Sequence, residues 1–192
     1  MDPTPSPTLP DTPEDRSRTV GVIVAAAVIV VTVLLGAILV AAQRPGDGLP
    51  PDPIGAPAPG FELPTLDGGA LALEELRGQP VVLTFWASWC TTCKDDVPTL
   101  QRVVADWGPR GVQVVGVVIE DSLRAATLAA EEARLRYPSV YDGADEVRTA
   151  YGVRGTPETF LLDGDGRVAA RWIGPLPAHE LELKLAALDP VP

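Results

Sequence analysis

Hydrophobic and polar positions follow four regimes along this chain. Residues 1–19, beginning MDPTPSPTLPDTPEDRSR, hold a single large aliphatic residue, Leu9, among Pro, Thr, Ser and Asp. Such a segment cannot bury enough apolar surface to order itself, so it reads as a disordered tail. Residues 20–42, VGVIVAAAVIVVTVLLGAILVAA, carry no charge and no polar face. As a helix this run would be roughly 35 Å long, enough to cross the hydrocarbon core of a bilayer. A cleavable leader ending at Val40-Ala41-Ala42 and a buried core helix are the alternatives. The length of the run, the extended tail before it and the small size of the chain favour a retained anchor. Residues 43–56 repeat Pro and Gly, the composition of a spacer. From residue 57 to 192, short apolar runs alternate with helical periodicity, which predicts an α/β domain.

Within that domain, Phe61–Thr65 and Ala70–Ala72 flank Asp67-Gly68-Gly69 as a hairpin, and 74–77 form a helical turn. Residues 81–86, VVLTFW, are a strand of β-branched and aromatic residues. Apolar positions at Val97, Leu100, Val103, Val104 and Trp107 predict a helix over 94–107, kinked at Pro98. Residues 112–119 read as a strand buried on both faces. Asp121 or Ser122 caps a helix running to about Arg136. A short strand at Val140 and Tyr141 and a short helix over 145–151 follow. Residues 159–162 and 168–173 form an antiparallel hairpin about Asp163-Gly164-Asp165-Gly166, and the last helix spans 178–188.

Charge narrows the function. A formal net charge of -11 and a pI near 4.4, with no basic stripe, exclude a general nucleic-acid binder. Arg16 and Arg18 precede the apolar run and Arg44 follows it. This bias of one charge leaves the tail in the cytoplasm and the domain outside.

The only two cysteines, Cys90 and Cys93, stand in WASWCTTCK. A structural zinc site needs four ligands, and one distant histidine, His179, cannot complete the set. A structural disulfide closing so short a loop would contribute only about 2 kcal/mol. Redox exchange fits better. Between a buried strand and the first turn of a helix, Cys90 lies near unpaired N–H groups and the positive end of the helix dipole, which favour the thiolate. Cys93, one turn along and expected to be less exposed, can resolve the mixed disulfide. No cofactor beyond this disulfide is expected.

FWASWCTTCKDDVP, followed by YGVRGTPETFLLDGDGRV, resembles the thioredoxin superfamily, and within it the membrane-anchored TlpA/ResA-like thiol-disulfide oxidoreductases, including those of cytochrome c maturation. The segment GAPAPGFELPTLDGGALALEELRGQPVVL resembles the amino-terminal hairpin extension of that family. The resemblance implies a thioredoxin-like fold, a mixed central sheet flanked by helices. It makes Cys90 the attacking thiol, Cys93 the resolving one and Trp89 part of the rim. It also implies a cis Thr156–Pro157 bond that lets the Thr156 backbone pair with a substrate peptide. Asp96 and Glu158 are candidates for tuning the thiols, with solvated carboxylates as the alternative. Thr84 stands where thioredoxin has a buried Asp, so a proton shuttle from that site is lost. Glu120 and Asp121 either contact a partner or cap a helix.

The function these features imply is a single-pass cell-membrane protein whose extracytoplasmic domain reduces protein disulfides, such as that of an apocytochrome c, and is recharged by a membrane electron donor. Three alternatives stand beside it: a disulfide-inserting oxidant, a non-catalytic tethered binding module, and a peroxiredoxin. Against the last, the Thr or Ser and the Pro that precede a peroxidatic cysteine are here Ala87 and Leu83.

Overall fold

The structure, a computed structural model, describes residue 23, residues 26–32 and residues 53–188. The chain divides into two units, Met1–Pro45 and Gly46–Pro192. In the first, residues 26–32 are helical and exposed, and the Thr32 hydroxyl donates to the Val28 carbonyl at 2.7 Å. The tail 1–19, most of the expected anchor 20–42 and the spacer as far as residue 52 lie outside the described residues. Among the described residues no helix is long and apolar enough to cross a membrane.

The second unit opens with a hairpin of β1 (Glu62–Pro64) and β2 (Ala70–Ala72). Then come β3 (Val81–Trp86), α1 (Thr91–Trp107), β4 (Gln113–Val118), α2 (Leu123–Glu132), β5 (Ser139–Tyr141), α3 (Glu146–Ala150), β6 (Glu158–Leu162), β7 (Val168–Ile173) and α4 (Ala178–Leu188). The main sheet has the order β5-β4-β3-β6-β7, with β3, β4 and β5 parallel and β6 and β7 antiparallel. This is the mixed sheet flanked by helices expected of a thioredoxin-like fold.

All six residues of β3 are buried, as the central strand of a two-sided sheet requires. Because successive side chains point to opposite faces, the strand feeds two cores. Leu83 and Phe85 join Tyr151 and Phe160 on one face, where three rings meet at centroid distances of 5.2–5.8 Å. Val82 joins Leu100 of α1 with Leu181 and Leu185 of α4 on the other.

Two boundaries differ from the expected ones by more than one residue. Helix α1 begins at Thr91, not 94, because Cys90 itself is its cap. Helix α2 stops at Glu132 and does not reach Arg136. Arg134 takes a left-handed φ of 49°, and the Leu135 N–H returns to the Ala130 carbonyl at 3.1 Å. The early stop turns Leu135 and Tyr137 inward onto the α1 core.

This topology gathers the chemistry at one end of the sheet. Phe85 of β3 lies opposite Glu158 of β6. The loop leaving β3 ends on Cys90, the first turn of α1 carries Cys93, and the loop entering β6 carries Thr156 and Pro157.

Candidate active site

Cys90 and Cys93 form a disulfide with a Cα–Cα distance of 5.3 Å. Cys90 is the cap of α1, and its Sγ accepts the Cys93 amide at 3.1 Å. The Thr92 hydroxyl lies 3.6 Å from the same sulfur. An amide donor and the helix dipole converge on this atom, the arrangement that stabilises charge on sulfur once the bond is reduced. The expected contrast in exposure is absent: Cys90 is 4% exposed and Cys93 6%. Both sulfurs pack in a small cluster with Trp86, Ala87, Val118 and Ala126, which covers the cap as well as the turn behind it.

Trp89 is exposed, and its indole N–H donates to the Glu120 carbonyl at 3.0 Å. The Thr156–Pro157 bond is cis, Pro157 is buried, and the Thr156 hydroxyl oxygen is buried without a hydrogen-bond partner. Thr84 meets Thr159 hydroxyl to hydroxyl at 3.1 Å, filling the position of the missing carboxylate with a neutral pair.

Neither candidate carboxylate is solvated. Asp96 is buried, and its Oδ1 accepts the Leu176 amide at 3.0 Å while Oδ2 has no partner. Burial pushes its pKa up, the Leu176 N–H opposes this, and neighbouring Asp95 adds to the rise. Asp96 and Cys93 line one cavity of about 470 Å³, shared with Thr84, Trp86, Leu100 and Tyr137. Burial, and secondarily Asp96, push the Tyr137 hydroxyl well above its usual pKa, so it stays neutral. Glu158 is buried too, and the Arg171 guanidinium meets its Oε1 through Nε at 2.6 Å and Nη2 at 2.5 Å. Burial raises the Glu158 pKa, against the lowering effects of Arg171 and Arg154.

Of the two expected caps of α2, Ser122 is the one used, accepting the Ala125 amide at 3.2 Å. Asp121 instead accepts the Ser88 amide at 2.6 Å, fastening the cysteine loop to the end of β4. Arg171 was the missing cation for Glu158. His179 is exposed at the start of α4, as expected of a surface residue. No group of three or more metal-ligating side chains occurs among the described residues.

A redox disulfide at a helix cap, a cis-proline loop beside it and a buried carboxylate behind it set the chemical class. Residues 54–171 match the family model described as AhpC/TSA. The chain belongs to the AhpC/TSA family. It is 31% identical over 137 residues to the thiol-disulfide oxidoreductase ResA of Geobacillus thermodenitrificans, covering 71% of this chain and 79% of that one. A solved structure from Chlorobium tepidum, described as the thiol:disulfide interchange protein DsbE, superposes with a TM-score of 0.67 at 31% identity. It covers 70% of this chain and 96% of its own. A secreted disulfide oxidoreductase of Mycobacterium tuberculosis, homologous to DsbE of E. coli, gives 0.60 at 26% identity, with coverage of 67% and 96%. This family member is a thiol-disulfide oxidoreductase, and its redox pair is Cys90–Cys93. Within the oxidoreductase, Ala87 and Leu83 are both buried apolar residues, which leaves the peroxiredoxin positions without their hydroxyl and their proline.

Proposed function

We propose that this oxidoreductase is anchored in the membrane through residues 20–42, holds its domain on the extracytoplasmic side, and reduces disulfides of protein partners such as an apocytochrome c. A membrane electron carrier returns it to the dithiol. The uncharged run of 20–42 and the Pro/Gly spacer of 43–56 support the anchor.

One observation carries the direction of electron flow: the buried, half-satisfied carboxylate of Asp96 on the cavity it shares with Cys93. Negative charge there disfavours a second negative charge on the Cys93 sulfur. A less stable dithiolate means a more stable disulfide and a lower reduction potential, the disposition of an electron donor.

In the forward reaction the Cys90 thiolate attacks one sulfur of the partner's disulfide. The partner S–S bond breaks, and its second sulfur leaves with the electron pair and takes up a proton. Cys93 then gives its proton to the carboxylate side of the cavity and attacks Cys90 Sγ, expelling the first partner sulfur. The partner gains two electrons and two protons, and the enzyme keeps the Cys90–Cys93 bond. Trp89 forms the rim and the Thr156 backbone pairs with the extended partner segment. Asp96 and Glu158 tune the site.

The deciding experiment joins an equilibrium redox titration to a Cys93→Ser trap in cells. A potential in the reducing range, with mixed disulfides to a cytochrome or another envelope protein, supports the reading. An oxidising potential, or a fully expressed trap that captures nothing, refutes it.

A further inference from the structure

Among the described residues, three that are not glycine hold a positive φ: Glu120 at 51°, Arg134 at 49° and Asp145 at 56°. For L-residues this left-handed region is sterically disfavoured and persists only where the surroundings hold it. Arg134 lies just past the end of a helix, and the other two both lie against the Arg148 side chain. The Arg148 guanidinium makes an ion-pair contact with each: Nη1 is 3.3 Å from Glu120 Oε1, and Nε is 3.3 Å from Asp145 Oδ1, the latter without hydrogen-bond geometry. Arg148 is itself fixed, because its amide donates to Asp142 Oδ2 at 2.7 Å and Asp142 is buried.

Glu120 does not touch the sulfurs, yet its backbone carbonyl accepts the indole N–H of Trp89, the residue directly before Cys90. The next residue, Asp121, holds the Ser88 amide at 2.6 Å, and its own carbonyl accepts the Tyr141 hydroxyl at 3.0 Å. A chain of contacts therefore runs from α3 to the rim: Arg148 to the Glu120 side chain, the Glu120 carbonyl to the Trp89 indole. With its one polar atom occupied, the exposed indole offers an apolar face beside the disulfide.

We propose that Glu120 and Arg148 are positioning residues for partner recognition, setting the orientation of Trp89 and hence the affinity for polypeptide disulfides without entering the thiol chemistry. This rests on the protein-disulfide function proposed above. A small disulfide needs only the sulfur, whereas a polypeptide also needs the rim. The ion pair should therefore affect one substrate and spare the other.

The test uses the reduced protein in single-turnover stopped flow, with insulin as the polypeptide disulfide and hydroxyethyl disulfide as the small one. Two variants loosen the chain of contacts differently. Arg148→Met removes the guanidinium. Glu120→Gly keeps the carbonyl, accommodates the positive φ and removes the side chain that meets Arg148. Each is expected to raise the half-saturating insulin concentration about threefold to tenfold, the ratio that loss of one net hydrogen bond gives. The limiting rate, the rate with hydroxyethyl disulfide and the reduction potential stay at wild-type values. In a Trp89→Phe background neither substitution adds to the defect.

Equal losses with both substrates, no change with insulin, or an undiminished effect without Trp89 overturns the proposal. If the wild-type protein left insulin intact, the protein-disulfide function would fall, and the positioning would still be read from acrylamide quenching of the fluorescence component that Trp89→Phe removes, the other three tryptophans being common to both proteins. That quenching must rise in both variants, and no rise refutes the positioning.

Discussion

Removing Arg171 tests the buried ion pair at the entry to β6. The Glu158 side chain is 2% exposed and Arg171 supplies both of its guanidinium contacts, so Arg171→Met keeps the aliphatic bulk and leaves the buried carboxylate with only the Arg154 backbone N–H and the more distant Arg154 charge. Breaking a buried pair by removing one partner costs about 3–5 kcal/mol, because an uncompensated charge remains. Against a typical domain stability of about 5–15 kcal/mol, that is a large share. The loss must also depend on pH, with a definite sign. Burial already raises the Glu158 pKa, and Arg171 works to lower it, so the variant's carboxylate rises further. A carboxylate whose folded pKa lies above its unfolded one contributes stability at low pH and loses it as pH rises through that interval. Denaturant unfolding of the oxidised protein, followed by far-ultraviolet circular dichroism, should show the full deficit at about pH 8 and a smaller one at about pH 5. The pair Arg171→Met with Glu158→Gln should recover much of it. A deficit below about 1 kcal/mol, or one that is the same at both pH values, would refute the claim that the cost is an unpaired buried charge.

Asp96→Asn keeps the acceptor for the Leu176 amide and removes the charge beside Cys93. Since burial raises the Asp96 pKa, stability now falls as pH rises above the ordinary carboxylate range. The variant should gain about 1 kcal/mol at neutral pH, with the gain vanishing in acid. Its thiols should ionise at lower pH in iodoacetamide alkylation, and an unshifted profile would disconnect Asp96 from the sulfurs. Gly116→Ala places a Cβ 2.4 Å from Ser139 Oγ and 2.6 Å from Trp86 Nε1, so it should lower stability by about 1–3 kcal/mol in denaturant titration. Tyr151→Phe deletes a hydroxyl that donates to the Pro59 carbonyl at 2.9 Å. It should cost about 1 kcal/mol and speed amide exchange in the β1–β2 hairpin region, with redox kinetics unchanged.

The elements that could be read from the sequence were those whose signal is local. Strand β3 shows as six consecutive apolar or β-branched residues, and the cysteine pair shows because its spacing places both sulfurs on one helical turn. The Asp163–Gly166 turn announced the β6–β7 hairpin, but its register did not follow. Arg171 and Glu158 therefore remained unpaired on paper, although a shift of two residues across two strands joins them. Asp96 resisted for the same reason. Its fate depends on the backbone N–H of Leu176, eighty residues away in sequence. Glu120 and Asp121 looked like caps because a helix follows them, and only the fold brings Trp89 and Ser88 onto them. The end of α2 is not legible in the sequence because nothing in EARLRYP marks Arg134 as left-handed before Pro138 is reached.

On the protein-disulfide function proposed above, the near-complete enclosure of both cysteines limits which polypeptides this enzyme can serve. A cystine locked inside a finished globule cannot follow the approach between an indole and a proline turn, whatever its potential. One borne on a slack or unfolded chain can. Folding state thereby becomes the selector, and a client that collapses early escapes reduction.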